Sequence, residues 1–254
     1  MAGSWFGRIR RGARLAYWRG AAARVVRADL PEVRRLRAHA RTVRQAIDRV
    51  LDLAENRLTG PLSGSDILRR RAMTDWAWRP MTWRIAATPQ GHVAAQQRTV
   101  LDDDLSVFHD CRVSELVVRQ VRNGGATDLA QFGLSLQALA FDGTFLSVAV
   151  RLPDAAIAGL GHRHLLCADL TVESESPQKV FVSLNIEHGP NIEKTVLELE
   201  PGNGERSVEF DLAHVRFDEK RVSKVWLDVF FTQPAMNRVV LRDFTVGRRP
   251  RAEL

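Results

Sequence analysis

Three short clusters hold residue types that do chemistry. His109-Asp110-Cys111 sets an imidazole, a carboxylate and a thiol in a row. A thiol nucleophile needs its base within hydrogen-bond reach, and neighbours in an extended strand alternate sides, so His109 and Cys111 share a face while Asp110 does not. A buried structural thiol is expected there. His162 and His164 stand two apart in GLGHRHLL, a spacing that would put both imidazoles on one strand face. Zn²⁺ would need a further ligand from elsewhere, for which His188 is the candidate. Asp102-Asp103-Asp104 offers oxygen atoms to Ca²⁺ but lacks the spaced ligands and the glycine of a calcium loop, so a solvated turn is expected and no cofactor is assigned. No phosphate loop, dinucleotide fingerprint or serine elbow occurs. Asp and Glu are numerous enough for a glycosidase pair, yet the sequence gives no separation between any two. A non-catalytic protein is the expectation, with a glycan-active enzyme using unidentified carboxylates as the alternative.

Binding residues are easier to place. In VWLDVFF, alternation sends Val225, Leu227, Val229 and Phe231 to one side and Trp226, Asp228 and Phe230 to the other. In HLLCADLTVE, Leu166, Ala168, Leu170 and Val172 oppose Cys167, Asp169, Thr171 and Glu173; in VFVSLNIEHG, Val180, Val182, Leu184 and Ile186 oppose Phe181, Ser183, Asn185 and Glu187. A sheet face that mixes flat aromatics with carboxylates and amides suits a sugar, because the ring stacks on the apolar side of a pyranose while Asp and Asn take hydroxyls. Trp226, Asp228, Phe230, Asn185 and Asp169 are therefore the candidate ligand residues. The bland reading is that a loop or the N-terminal helix covers Trp226 and Phe230.

These residues sit in a chain of two rhythms. From about residue 85 there are some ten short runs with a period of two, separated by breakers such as Asn123-Gly124-Gly125 and Pro201-Gly202-Asn203-Gly204, with a short helix over 153–159. That pattern predicts a mainly β fold, an antiparallel β-sandwich of jelly-roll type. In the last strand Val239 and Leu241 alternate in one phase and Phe244 and Val246 in the other, which predicts a bulge near Arg242-Asp243.

Ahead of the sandwich, Val33, Leu36, Ala40, Val43, Ile47, Val50 and Ala54 follow a 3,4 spacing that predicts a coiled-coil-like helix over 31–58, capped by Asp29 and stopped by Thr59-Gly60-Pro61. Leu15, Trp18, Ala22 and Val25 repeat the spacing in a second helix over about 4–28. A helical hairpin and a homodimer through helix 31–58 are both open. The expected organisation is a basic helical region over 1–60, a Trp/Arg-rich linker over 61–84 containing Trp76, Trp78, Arg79, Trp83 and Arg84, and the sandwich over 85–254. Trp76, Trp78 and Trp83 are expected to seal the junction between helix and sandwich.

The basicity lies at one end. Residues 1–73 carry 17 Arg against 6 acidic residues, a balance of +11, while residues 74–254 carry 20 basic against 24 acidic, or −4. Trp5, Phe6, Arg8, Arg10, Arg11 and Arg14 form a cluster suited to an anionic membrane surface or another polyanion, although the apolar residues do not keep to one face. No nucleic-acid-binding signature accompanies them, so specific nucleic-acid binding is not expected. Two cysteines, Cys111 and Cys167, in no metal or redox spacing suggest a reducing compartment. No apolar run approaches the ~20 residues of a membrane-spanning helix. A cytoplasmic location is expected, with a peripheral position at the inner membrane as a variant of it.

The closing VVLRDFTV is similar to the last strands of galactose-binding-like jelly rolls, the fold of many carbohydrate-binding modules. ADLPEVRRLR (28–37), TDWAWRP (74–80), FHDCRVSEL (108–116), NIEHGPN (185–191), EKRVSKVWLD (219–228) and RDFTVGRRPRAEL (242–254) together resemble an uncharacterised alphaproteobacterial family known only as a domain of unknown function. That resemblance implies a bacterial origin and transfers no activity. The expected partners are a saccharide or protein ligand at the sandwich and an anionic surface or a second copy at the basic end.

Overall fold

A computed structural model of the chain describes residues 16–59, 68, 71–112, 115–125 and 128–251. It divides into two compact units, Met1–Glu55 and Asn56–Leu254.

In the first unit, residues 16–25 form helix α1 and Leu30–Thr59 form helix α2. Asp29 caps α2, its Oδ1 accepting from the Glu32 amide at 2.8 Å, which satisfies one of the donors a helix start leaves free. Trp18 of α1 stacks on His39 of α2 with ring centroids 5.3 Å apart, so the two helices form a hairpin. Val33, Leu36, Ala40 and Val43 are half-buried, whereas Ile47 and Val50 further along the same stripe are exposed. On α1 the buried residue is Ala21, one position from the expected Ala22.

The second unit is mainly β: two antiparallel sheets packed face to face. One sheet has the order β11-β8-β13-β6-β5-β2, built from Gly204–Asp211, His164–Ser174, Asn237–Pro250, Phe132–Ala138, Leu116–Arg122 and Gly91–His92, with β1 (Trp76–Trp78) paired to β13. The other has the order β10-β9-β12-β7-β4-β3, built from Asn191–Glu198, Val180–His188, Val222–Phe231, Leu146–Arg151, Leu105–His109 and Arg98–Val100. A four-residue helix α3, Asp154–Ile157, follows β7.

The core is the meeting of the two inner faces. Val225, Leu227 and Val229 are wholly buried, as are Val182, Ile186, Ala168 and Phe244, so the period-two alternation placed the inward side correctly. The register of β13 on β8 shifts between Leu241 and Asp243, which is the expected bulge. It lets both Leu241 and Phe244 reach the core.

Residues 76–83, which fall in the span read from sequence as a linker, belong to the sandwich. Trp76–Trp78 add a strand to β13, and Trp83 in the 3-10 turn Met81–Trp83 is fully buried against Phe244 with centroids 5.6 Å apart. The Trp83 indole donates to the Leu241 carbonyl beside the bulge at 2.9 Å. Arg79 is buried too, and its guanidinium meets both carboxylate oxygens of Asp243 at 2.8 Å. Trp76, Trp78, Arg79 and Trp83 are thus paired with or packed on the seven-stranded sheet.

Candidate functional site

Strand pairing assembles the outer face of the six-stranded sheet from the same alternation that builds the core. Directly opposed residues share a face, so the register reads out three rows. The first holds Phe181, Phe230, Ser147 and Phe108; the second Val196, Ser183, Asp228, Ala149 and Ser106; the third Lys194, Asn185, Trp226 and Arg151. Trp226 and Phe230 lie four residues apart on β12, about 13 Å along the strand. Both are half-buried, with Phe181 and Phe108 of the same face in the same class.

Between the aromatics sits a bonded polar centre. Asp228 Oδ2 accepts from the Trp226 indole at 3.1 Å and from Asn185 Nδ2 at 2.9 Å. Asn185 and Ser183 are buried at the sheet surface. Burial pushes the Asp228 carboxyl above the ordinary carboxylate range, against the two hydrogen bonds and the nearby Lys194 and Lys224, which favour its charged form. The Lys224 ammonium lies 5.0 Å from the Trp226 ring centre, and Lys194 reaches across from β10 to within 5.1 Å of the Phe230 ring. Arg98 lies 5.9 Å from the Phe108 ring. Such a face can stack flat apolar surfaces and exchange hydrogen bonds through amide, hydroxyl and carboxyl groups.

Of the five residues expected to act together, the structure gathers four: Trp226, Asp228, Phe230 and Asn185. Asp169 lies on β8 of the opposite sheet, where it pairs with Arg71 at 2.6 Å and faces Ser207 and Thr245 across the ladders. Alternation told which way Asp169 points within its strand but not to which sheet β8 belongs. Phe181, Phe108, Lys194, Lys224 and Arg98 were not singled out from sequence. Alternation places Phe181 on the side of Asn185 and Lys224 on the side of Trp226, whereas Lys194 needed the cross-strand register to be seen.

The other clusters are occupied structurally. His109 is buried, its Nδ1 accepting from the Cys111 amide at 3.1 Å, which puts the ring proton on Nε2 toward the Ala95 carbonyl at 2.9 Å. Asp110 instead caps the turn at Thr144 and Phe145, and the Thr144 hydroxyl is the main cause of its lowered carboxyl pKa. Burial raises the Cys111 thiol. Cys167 is pushed up to about 12 by burial and by Glu209, whose Oε2 accepts from the thiol at 3.0 Å. Both cysteines are free thiols.

His162 and His164 do not form a pair, because β8 begins only at His164 and His162 lies in the preceding turn. His162 stacks on Phe217 at 4.5 Å and bonds Glu219 at 2.8 Å, while His164 is buried against Gly161 and 3.7 Å from Asp75. His188 accepts from the Asp218 amide at 3.3 Å. In the acidic triplet, Asp102 accepts from the Thr82 hydroxyl and the Asp104 amide, and Asp104 faces Arg151 at 3.7 Å. Among the described residues, no three His, Cys, Asp or Glu side chains are placed to share a metal ion. Trp5, Phe6, Arg8, Arg10, Arg11 and Arg14 lie outside the described residues. No described helix is long and apolar enough to cross a membrane.

The second unit is therefore an antiparallel β-sandwich with one aromatic, polar-centred outer face. The chain belongs to the family of unknown function DUF6478, whose profile matches residues 1–254. Among curated proteins, none matches it in sequence. Among solved structures it is similar to the family 11 carbohydrate-binding module from Clostridium thermocellum in complex with a β-1,3-1,4-mixed-linked tetrasaccharide, at 13% identity over 60% of this chain and 92% of that one, with a TM-score of 0.40. The CBM22-1 xylan-binding domain from Paenibacillus barcinonensis Xyn10C matches at 8% identity over 64% and 94%, TM-score 0.37. The enzymatically active domain of bacteriophage CBA120 tailspike protein 4 matches at 6% identity and TM-score 0.41, over 56% of this chain, which spans only 19% of that one. At TM-scores of this size no residue role passes from these proteins to the present chain.

Proposed function

We propose that the sandwich is a non-catalytic binding domain of jelly-roll type whose outer six-stranded face takes a saccharide. The observation that carries this reading is the joining of Trp226, Asp228 and Asn185 by hydrogen bonds beside the aromatic row of Phe181, Phe230 and Phe108 on a half-buried sheet face. Trp226 and Phe230 would stack on sugar rings, and the half-buried Asp228, held in place by the buried Asn185, would meet a hydroxyl between them. A glycan array probed with the full chain, followed by calorimetry on the best ligand, tests this. Trp226→Ala and Phe230→Ala are expected to weaken binding at least about tenfold, the loss of one aromatic stack in an exposed site. An array without ligands, or a bound glycan indifferent to Trp226→Ala, would end the reading.

For the first unit we propose self-association through helix 31–58, supported by the exposed Ile47 and Val50 on the apolar stripe of α2. Light scattering on the full chain is expected to give the mass of a dimer; a monomer mass at tens of micromolar would remove the proposal. The +11 balance of residues 1–73 supports attachment of this end to an anionic surface. Deleting residues 1–28 is then expected to abolish flotation with anionic liposomes, and unchanged flotation would contradict it.

A further inference from the structure

The cations on the outer face are arranged in a way that narrows the ligand class. Lys194, Lys224 and Arg98 come from three different strands, and each lies over an aromatic ring of the same face: Phe230, Trp226 and Phe108 respectively. Among the described residues, neither lysine has a carboxylate within ion-pair distance. Asp228 interacts with both lysines through space and Glu187 stands opposite Lys224 in the ladder, yet neither is within ion-pair distance of them. Asp228 is held by Trp226 and Asn185, Glu187 accepts from the Ser223 hydroxyl at 2.9 Å, and Asp104 faces Arg151; Glu198 stands at the far corner of β10 opposite Phe181.

The exposed ammonium of Lys194 or Lys224 on a half-buried ring is weakly held, because water competes for it, so the side chain is free to turn away when a better partner arrives. A neutral sugar would have to displace these lysines from the rings and could offer them only hydroxyl oxygens in return. A sugar carrying a carboxylate, sulfate or phosphate would pair with the displaced ammonium while its apolar side took the vacated ring, so both halves of the contact would be used. Lys194 strengthens the point because it crosses from β10 over β9 to reach Phe230, spanning the polar centre on the way.

We propose that the ligand of this face is an acidic saccharide, and that Lys194 and Lys224 select it. This rests on the reading of the face as a saccharide site. The test uses the full chain and an array of matched pairs: oligogalacturonates with their methyl esters, sulfated with unsulfated glucan and galactan oligomers, and phosphorylated with unphosphorylated mannose oligomers. The acidic member of at least one pair is expected to bind at least about tenfold tighter at 20 mM salt, with the advantage shrinking at 200 mM as screening grows. The double variant K194Q/K224Q is expected to lose that advantage while its affinity for the neutral member stays the same or rises, since the rings are uncovered. A misfolded variant would lose both affinities, and thermal melting separates that case; the salt dependence of the unmodified chain then decides. Equal binding of both members of every bound pair would overturn the acidic preference and leave the saccharide site standing. Binding to no pair at all would overturn both.

Discussion

Trp226 and Asp228 stand two residues apart on β12, and the indole of the first donates to Oδ2 of the second at 3.1 Å. The polar edge of the tryptophan is thereby tied down while the ring itself stays half-exposed on the sheet. An aromatic platform held this way loses little freedom on meeting a ligand.

Asp228→Asn tests the electrostatics of that tie. Burial raises the Asp228 carboxyl, so its folded-state value exceeds the unfolded one. Stability from such a group is fully present below the unfolded value and is lost as pH rises through the raised one. Asparagine keeps an acceptor for Trp226 and Asn185 without the charge. Thermal midpoints of the variant, measured against the parent between about pH 4 and about pH 7, are expected to rise relative to the parent with pH across the carboxylate range. A relative fall over that window would show that the ionised form is the stabilising one.

Arg79→Met tests the anchoring of the segment around β1 to β13. Arg79 is fully buried and bound to both oxygens of Asp243, so removing it takes a bidentate, charge-assisted contact out of the core. Denaturant unfolding is expected to show a loss of about 3–5 kcal/mol, with the double variant Arg79→Met/Asp243→Asn recovering part of it. A loss below about 1 kcal/mol would mean that the pair is solvated.

Trp83→Phe keeps most of the buried volume but removes the donor to the Leu241 carbonyl beside the bulge. A cost of about 1–3 kcal/mol is expected from the unpaired carbonyl. No change in the unfolding midpoint would contradict the assignment of this indole to the core.

Native cysteine reactivity tests the absence of an activated thiol. With Cys167 pushed up to about 12 and Cys111 raised by burial, iodoacetamide at pH 8 is expected to leave both unmodified over an hour and to label both after denaturation. Rapid labelling of either in the native chain would reopen nucleophilic chemistry.

The inward faces were legible because burial of a two-layer sandwich imposes a period of two, and the bulge at Arg242-Asp243 was legible because β13 changes phase there. Three strands were missed: Trp76–Trp78, Gly91–His92 and Arg98–Val100. At two or three residues they are too short to show any period, and they owe their extended form to the neighbours they pair with. The shared face of Trp226, Asp228 and Phe230 was legible from alternation alone, whereas the place of Asn185 beside them depended on β9 lying next to β12. Lys224, two residues before Trp226 on β12, was within reach of alternation, whereas the misplacement of Asp169 and the omission of Lys194 share one cause. Which strands lie side by side is fixed by long-range packing, and no local pattern in β8, β10 or β12 encodes it.

The most direct test of the aromatic face is nuclear magnetic resonance of the full chain labelled with ¹⁵N, titrated with the tightest glycan from the array. The account predicts that the Trp226 indole and the Asn185 side-chain amide shift together with backbone amides of β9 and β12, while the Trp83 indole beneath the other sheet stays in place. Shifts confined to the seven-stranded sheet or to the helical unit, with Trp226 unmoved, would contradict it.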